Sequence, residues 1–203
     1  GFLVPSEGSV SLVKRGTVNE AAVPAEGRGS TFAEPPFGSQ QMADILPGAN
    51  TGMYCPDTGN VLDFQSFTVE ALIHIDTLSS AICVASRYET TGTTERHWLF
   101  GIQDGVLRLW LAETDGTGSA DNIASDDTPA LEAGKDYFVS VAVDMDNTGP
   151  GGIVFYTKNL TDDVDWTDDD ETHSGSPHPT IYNTPMDIGV ADGGTSWDLD
   201  GVI

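Results

Sequence analysis

The hairpin over residues 96–113 carries side chains with the chemistry of a ligand site. Its Asp104-Gly105 pair is typical of a two-residue type I′ turn, which fixes the residues that share each face. One face is apolar, and the other carries an imidazole, an amide, a guanidinium and an indole, from His97, Gln103, Arg108 and Trp110. An indole beside hydrogen-bonding groups suits a sugar ring, whose CH groups stack on the aromatic while its hydroxyls find polar partners.

Other residues are candidates for the same site. Glu70 and His74 lie on the polar side of "SFTVEALIHID", and we expect that strand near the hairpin. Trp166 and Trp197 are considered as additional contacts, although such residues are more often packing anchors. The face would equally suit packing against the N-terminal arm or a neighbouring subunit, since Trp and Arg are enriched in interfaces. The residues leave both interpretations open, and a sugar site predicts that Trp110→Ala loses binding without losing stability.

Oxygen ligands for calcium occur in the Gly-rich segment "DMDNTGPGG" at 144–152. Asp144, Asp146 and Asn147 offer the carboxylate and amide oxygens that Ca²⁺ favours on flexible loops. The segment is not an EF-hand, because its twelfth residue is Phe155 where a Glu is needed. A plain turn that uses Asp and Asn for their turn chemistry is the stronger interpretation. The four histidines lack zinc-ligand spacing, so Ca²⁺ is the one cofactor that we consider.

The charge of the chain limits its partners. With 32 acidic residues against 8 lysines and arginines, the net charge is -24, which repels phosphate backbones and anionic headgroups. We therefore expect no nucleic acid and no membrane insertion, and no apolar run approaches the roughly 20 residues that span a bilayer. So acidic a composition is typical of proteins from saline habitats, and also of secreted acidic modules. Cys55 and Cys83 lack CxxC spacing, which favours buried free thiols over a disulfide.

The candidate side chains need a scaffold, and the sequence predicts β-structure. Residues 1–41 are rich in Pro and Gly with one alternating stretch, "SVSLVKR", so we expect an extended arm that carries one strand. From residue 42 onward, short alternating runs are separated by Gly, Asp and Asn turns, and no helical period is sustained. Several runs have one fully apolar face. This pattern predicts an all-β, two-sheet antiparallel β-sandwich, or jelly roll, over residues 42–203.

Five segments in order resemble the laminin-G-like, or concanavalin A-like, jelly-roll family. They are "SFTVEALIHID", "HWLFGIQDGVLRLWL", "LEAGKDYFVSVAVD", "GIVFYTKN", and "MDIGVADGG" with "LDGVI". Together they span about Asp44 to Ile203, most of the chain. The resemblance implies a two-sheet sandwich that binds or assembles more often than it catalyses. It also implies that Asp192 lies on a rim loop that can carry calcium ligands.

The chain departs from that family in three places. Leu72 stands where the family often has Trp, and "YTKNLT" replaces the usual Asn-Gly hairpin. The family also continues beyond the position of Ile203, so the resemblance implies a closing strand that lacks its last residues. Because the chain begins at Gly1 instead of Met, we expect that both ends are cut from a longer polypeptide.

Catalysis is not supported by the acidic residues. The glucanases that resemble this fold need two carboxyl groups about 5 to 5.5 Å apart on one strand. Glu70 has no acidic partner on its strand, where positions 72 and 74 are Leu and His. The acids of "DVDWTD" have a suitable spacing, but they lie in an acidic run that favours a solvated loop over a strand. No G-x-S-x-G elbow is present, so we expect no enzyme.

The sequence therefore predicts a non-catalytic recognition or assembly module, extracellular or on a virion surface. A virion decoration, spike or tail appendage from a saline habitat would unite the arm, the charge and the fold. The alternative is a secreted or cell-surface carbohydrate-binding or adhesion domain, and a divergent glycoside hydrolase is the weakest of the three. The expected partners are a glycan or neighbouring subunits in an oligomer or larger assembly.

Overall fold

The computed structural model describes ten stretches of the chain, residues 13–15, 19–21, 42–45, 52–55, 66–88, 96–112, 120–124, 130–172, 185–191 and 197–203. Their regular structure is a series of β-strands: β1 (Val13–Arg15), β2 (Asn19–Ala21), β3 (Met42–Ile45), β4 (Gly52–Cys55), β5 (Ser66–Thr77), β6 (Ala81–Tyr88), β7 (Arg96–Gln103), β8 (Val106–Ala112), β9 (Ala120–Ala124), β10 (Lys135–Asp144), β11 (Ile153–Asn159), β12 (Thr167–Glu171), β13 (Met186–Ile188) and β14 (Asp200–Val202). None of these stretches contains a helix that could cross a membrane.

The strands form two antiparallel sheets. Sheet A has the order β1-β4-β13-β6-β7-β8-β9, and sheet B has the order β12-β11-β10-β5-β14-β3-β2. The predicted all-β sandwich of two antiparallel sheets is therefore confirmed. Within the predicted arm, β1 pairs with β4 in sheet A and β2 pairs with β3 in sheet B. The remaining residues of the arm lie outside the described stretches, and its boundary at residue 41 stays a prediction.

The core lies between the two sheets and is built by alternation along β5, β7, β8 and β10. The predicted apolar faces of β5, β7, β8 and β10 point into this core, whose buried residues include Val69, Ile73, Ile75, Trp98, Phe100, Ile102, Leu107, Leu109, Leu111, Tyr137, Val139, Val141 and Val143. Aromatic pairs cross the core, with Phe67 stacked on Trp98 at 5.1 Å and Phe100 tilted against Phe155 at 6.4 Å between ring centroids. Each such buried side chain stabilises the fold by about 1.5–3 kcal/mol.

The β7–β8 hairpin has the predicted register. Asp104 and Gly105 have φ angles of 53° and 82°, and a type I′ turn requires positive φ at both central residues. Gln103 therefore pairs with Val106, and the alternation continues outward to the pair of Trp98 with Leu111. The hairpin is also anchored at its turn, where the backbone N–H of Asp104 donates to the carbonyl of Ser80 at 3.1 Å.

A β-bulge in β6 decides which residues of that strand reach each face. The register to β7 shifts between Cys83 and Ala85, so that one residue is added on the β6 side. Val84 and Ala85 both belong to the core, while Cys83 packs in a cluster on the other face. The bulge thus explains why the alternation of "AICVASRY" breaks in the middle of the strand.

The last described residues connect the two sheets. The carbonyl of Trp197 accepts a hydrogen bond from the N–H of Cys83 in sheet A at 2.8 Å, and Leu199 is buried in the shared core. The chain then enters sheet B as β14, which pairs with β5 and β3. Trp197 has a φ of 68°, a left-handed conformation that is rare for a bulky residue. Its contacts on sheet A must compensate for that strain.

Gly101→Ala tests the close approach beside the bulge. A Cβ at position 101 would meet the backbone carbonyl oxygen of Ile82, which belongs to the neighbouring strand and cannot rotate away. We expect the free energy of unfolding to fall by about 2–3 kcal/mol in a urea titration. The control is Gly134→Ala, where φ is 76° and no atom lies within 4 Å, so that only about 1 kcal/mol of backbone strain is added. Equal losses in the two variants would contradict the steric explanation.

Candidate ligand-binding surface

The structure separates the residues that were predicted to form one site. His97, Gln103, Arg108 and Trp110 lie on β7 and β8 in sheet A, whereas Glu70 and His74 lie on β5 in sheet B. The expected proximity of the two groups is therefore wrong. The sequence shows which face of a strand each residue occupies, but it does not show which sheet the strand joins.

The outer face of sheet A around Trp110 is closed by the chain itself. Only 9% of Trp110 is exposed, and it packs with Cys83, Leu99 and Ala191 in a second apolar cluster. The ring of Trp197 stands edge-on against it, with 4.7 Å between centroids and an angle of 80°. The prediction of an open stacking surface at Trp110 is wrong, because this indole is already buried against Trp197. Packing is the better interpretation, with the Trp197 segment as the described cover.

The other predicted residues of this face are also withdrawn from solvent. His97 is buried, and Gln103 and Arg108 are half-buried. Their arrangement on one face of the hairpin follows the predicted register. A ligand role for them stays a prediction, since an open aromatic surface no longer accompanies them.

The thiol of Cys83, which packs with the indoles of Trp110 and Trp197, has low reactivity. Burial raises the pKa of Cys83, the Ser86 hydroxyl lowers it in part, and the carboxylates of Asp187 and Asp198 raise it further. A thiol held in its protonated form is a poor nucleophile and a poor metal ligand. Cys55 is buried as well, and both cysteines are free, as the sequence predicted.

Replacing Trp110 should mainly lower the stability of the fold. Trp110→Ala removes a buried indole and leaves Trp197 without its partner ring, so we expect the free energy of unfolding to fall by about 3–5 kcal/mol. Trp166→Ala serves as the matched control, because 53% of Trp166 is exposed and its loss should cost less than about 1 kcal/mol. Urea denaturation measures both. Unchanged stability of Trp110→Ala would contradict the packing interpretation and would support Trp110 as an open ligand contact.

The cysteines can be tested by alkylation. Because both thiols are buried and the pKa of Cys83 is raised, we expect no reaction with iodoacetamide in the folded protein at mildly alkaline pH. Both should react within the same time in urea, as measured by intact mass. Rapid alkylation of the folded protein would show that the cover over Cys83 opens readily.

On sheet B, His74 is a structural cross-link rather than an open polar group. Its Nδ1 lies 2.7 Å from Oδ1 of Asp136 on the neighbouring strand, and its Nε2 lies 3.4 Å from Oδ1 of Asp76. His74 and Asp136 are both buried, and the backbone N–H of Asp136 donates to the Thr161 hydroxyl at 2.8 Å. These contacts tie β5 to β10 and leave no ring nitrogen of His74 facing a ligand.

The outer face of sheet B carries an open aromatic surface. Strand pairing places Glu70, Ser140, Tyr156 and Asp168 side by side in one row across β5, β10, β11 and β12. The next row contains Leu72, Phe138 and Lys158, and Trp166 closes it just before β12. We call these eight residues the sheet B platform. Tyr156 and Trp166 are 37% and 53% exposed, so their rings face solvent.

Side chains of the platform fix the orientation of Trp166. Its ring stands edge-on against Phe138, with 4.9 Å between centroids and an angle of 74°. The Nζ atom of Lys158 lies 5.9 Å from the indole centroid and 3.2 Å from Oδ1 of Asp163. These contacts hold the indole in place while about half of it stays exposed.

The loop that presents Trp166 is held by its own hydrogen bonds. The side-chain oxygen of Asn159 accepts a hydrogen bond from the backbone N–H of Asp162 at 2.9 Å. The backbone carbonyl of Asn159 accepts one from the backbone N–H of Val164 at 3.1 Å. The ammonium of Lys135 lies 2.8 Å from the Asp162 carboxylate. This hydrogen bond lowers the pKa of Asp162 and raises that of Lys135, so both groups are charged. A loop restrained in this way loses little entropy when it binds.

The sequence contained part of the signal for the platform. Alternation along "IVFYTKN" places Tyr156 and Lys158 on one outer face, and Trp166 was already a candidate contact. The sequence does not reveal β12, because the acidic run that contains Asp168 predicts a solvated loop. That prediction is wrong: Asp168 pairs with Tyr156 in the sheet. The inward Asp169 is buried opposite Phe155, a position that hydrophobic periodicity does not predict.

The proposed calcium ligands form a turn. Oδ1 of Asp144 accepts from the N–H of Asp146 at 3.1 Å and from the Ser66 hydroxyl at 3.2 Å. Oδ1 of Asn147 accepts from the N–H of Gly149 at 3.0 Å. Among the residues that can be described, no group of three or more His, Cys, Asp or Glu side chains could hold a metal ion. Asp192 lies outside them, so calcium binding stays a prediction.

Comparisons with known proteins give a likeness of fold. No family model matches the chain, and no curated protein matches it. Among solved structures it is similar to the binding domain of botulinum neurotoxin DC in complex with SialylT, with a TM-score of 0.54 and 14% identity over 97% of this chain. A structure of botulinum neurotoxin type C, described as dependent on two ganglioside molecules for cell entry, gives a TM-score of 0.46 and 15% identity over 88% of this chain.

The chain spans only 41% of each of these neurotoxin chains. At 14% identity the first of them shows a shared architecture and no more. The chain therefore has a β-sandwich fold of the kind found in that toxin binding domain.

Proposed function

We propose that the protein is a non-catalytic carbohydrate-binding module that binds its glycan on the sheet B platform. One observation carries the proposal. The exposed large hydrophobic side chains of the described residues are Tyr156, Val164 and Trp166. Tyr156 and Trp166 belong to this face, and Val164 lies in the loop that precedes Trp166. Exposed aromatics grouped on one surface and bordered by polar residues mark interaction sites.

The arrangement of the platform suits a sugar chain. Strands lie about 4.8 Å apart, so a row across four strands is about 14 Å long and offers room for more than one pyranose ring. Tyr156 and Trp166 present flat apolar surfaces for the CH faces of the rings. Glu70 and Asp168, both exposed, stand at the two ends of one row as acceptors for sugar hydroxyls.

The surroundings of Glu70 support binding without catalysis. Ser140 lies directly across from it on β10, and Thr68 and Leu72 are its neighbours along the same face of β5. Asp168 is three strands away, about 14 Å at the usual strand spacing. A pair of catalytic carboxyl groups would be about 5 to 9.5 Å apart. Glu70 therefore has no partner acid at a glycosidase distance in its row.

The comparison adds limited support. The toxin binding domain with the shared fold was solved with the glycan SialylT, which shows that this architecture is used for glycan binding elsewhere. The resemblance to laminin-G-like domains favours the same class of function and remains part of the proposal. An extracellular location agrees with such a module. The virion setting and an assembly role rest on the composition and on the Pro/Gly-rich arm alone.

The test is the loss of binding when the platform aromatics are removed. In Trp166→Ala and Tyr156→Ala we expect glycan affinity to fall on the order of tenfold or more, because each ring supplies an aromatic stacking surface for a sugar ring. A glycan array identifies the ligand, and isothermal titration calorimetry measures its affinity. Thermal unfolding should change little in either variant, since both side chains are exposed.

The matched control is Val164→Ala, which removes an exposed apolar side chain from the same loop without removing a ring. It should leave the affinity within about twofold of the original protein. Wild-type affinity in both aromatic variants would show that the glycan binds elsewhere. If the unmodified protein binds no glycan at all, the platform is better explained as a contact for a protein partner.

A further inference from the structure

The charges around the sheet B platform have one predominant sign. Glu70 and Asp168 lie at the ends of its first row, and Asp170 follows on the same face of β12. All three side chains are exposed. The chain as a whole carries a net charge of -24, so more distant groups strengthen this field and do not cancel it.

Lys158, the positively charged residue of the platform, already forms an ion pair with Asp163. The Nζ atom of Lys158 lies 3.2 Å from Oδ1 of Asp163, and its other close neighbour is the ring of Trp166. Lys158 is half-buried under these two contacts. An acidic group on a ligand would have to share this charge with Asp163, and it would still face Asp168 on the adjacent strand.

On the basis of the proposed function, we infer that the platform selects glycans without acidic groups. Its ligand is an uncharged, hydroxyl-rich pyranose chain. Carboxylates accept hydrogen bonds and donate none, so Glu70 and Asp168 can bind sugar hydroxyls but repel a sialic acid, a uronic acid or a sulfate. The rings of Tyr156 and Trp166 provide the affinity, and the acids at the ends of the row provide the discrimination.

The experiment compares pairs of glycans that differ only in charge. Neutral oligosaccharides are measured beside the same oligosaccharides carrying sialic acid, a uronic acid or a sulfate, at low and at physiological ionic strength. We expect the neutral member of each bound pair to bind at least about tenfold more tightly at low salt. The difference should shrink as salt screens the repulsion, while the affinity of the neutral glycan stays nearly constant.

A double variant tests whether these carboxylates are responsible. Glu70→Gln with Asp168→Asn keeps the shape and one acceptor oxygen of each side chain, and the NH2 group of each can also bind sugar hydroxyls, so neutral binding should remain within about threefold. The discrimination against acidic glycans should shrink several-fold. Asp104→Asn is the charge control. It removes one acid at the β7–β8 turn on sheet A, where Asn tolerates the positive φ, and it should leave the discrimination unchanged.

The outcomes separate this inference from the proposed function. Equal or tighter binding of the acidic glycans, lost in Trp166→Ala, would overturn the charge selection and leave the platform as a glycan site. Unchanged discrimination in the double variant would assign the selection to other residues and overturn the inference as stated. Binding that is insensitive to both Trp166→Ala and Tyr156→Ala, or the absence of binding to either class, would overturn both.

Discussion

The structure depends on a single apolar layer that two sheets must share. Each long strand places every second side chain in that layer, and pairs such as Phe67 with Trp98 and Phe100 with Phe155 join the sheets across it. Because the side-chain period of a strand is two, the remaining residues are committed to the outer faces. Any binding site must therefore lie on an outer face, and it depends on which segments cover that face, since the inner faces are buried in the core.

The outer face of sheet A is covered around Trp110, whereas the outer face of sheet B is open around Tyr156. On sheet A, Trp197 accepts a backbone hydrogen bond from Cys83 and covers Trp110, so this face becomes a second, smaller core. On sheet B, the loop before β12 raises Trp166 beside the strands without covering Tyr156. The same amino acid thus acts as a packing residue on one side and as an exposed surface on the other. The difference arises from where the neighbouring segment lies, and the indole itself is equally suited to both.

This contrast also shows how far the sequence could lead. The hairpin register and the inward residues follow from Asp104-Gly105 and from alternation, which are local, and the structure agrees with them. The cover over Trp110 depends on a contact with Trp197, far away in sequence, and no local pattern signals it. The acidic strand β12 has too few apolar residues for periodicity to detect, and its pairing with β11 makes it a strand. Most of the predicted site consequently fell on the covered face, while Glu70 and Trp166 are the predicted residues that lie on the open one.

The acidic residues of β12 affect whether two copies of the protein can associate through this strand. This strand is the last in the order of sheet B as described, and its sequence is "TDDDE". An outermost strand presents unpaired backbone groups that invite a second molecule to continue the sheet. Here the approaching copy would bring three consecutive aspartates against three others, and the inward Asp169 opposes a flat, dry contact. Salt screens exposed charges of this kind, so the protection that Asp168 and Asp170 give to this outer strand should weaken as the ionic strength rises.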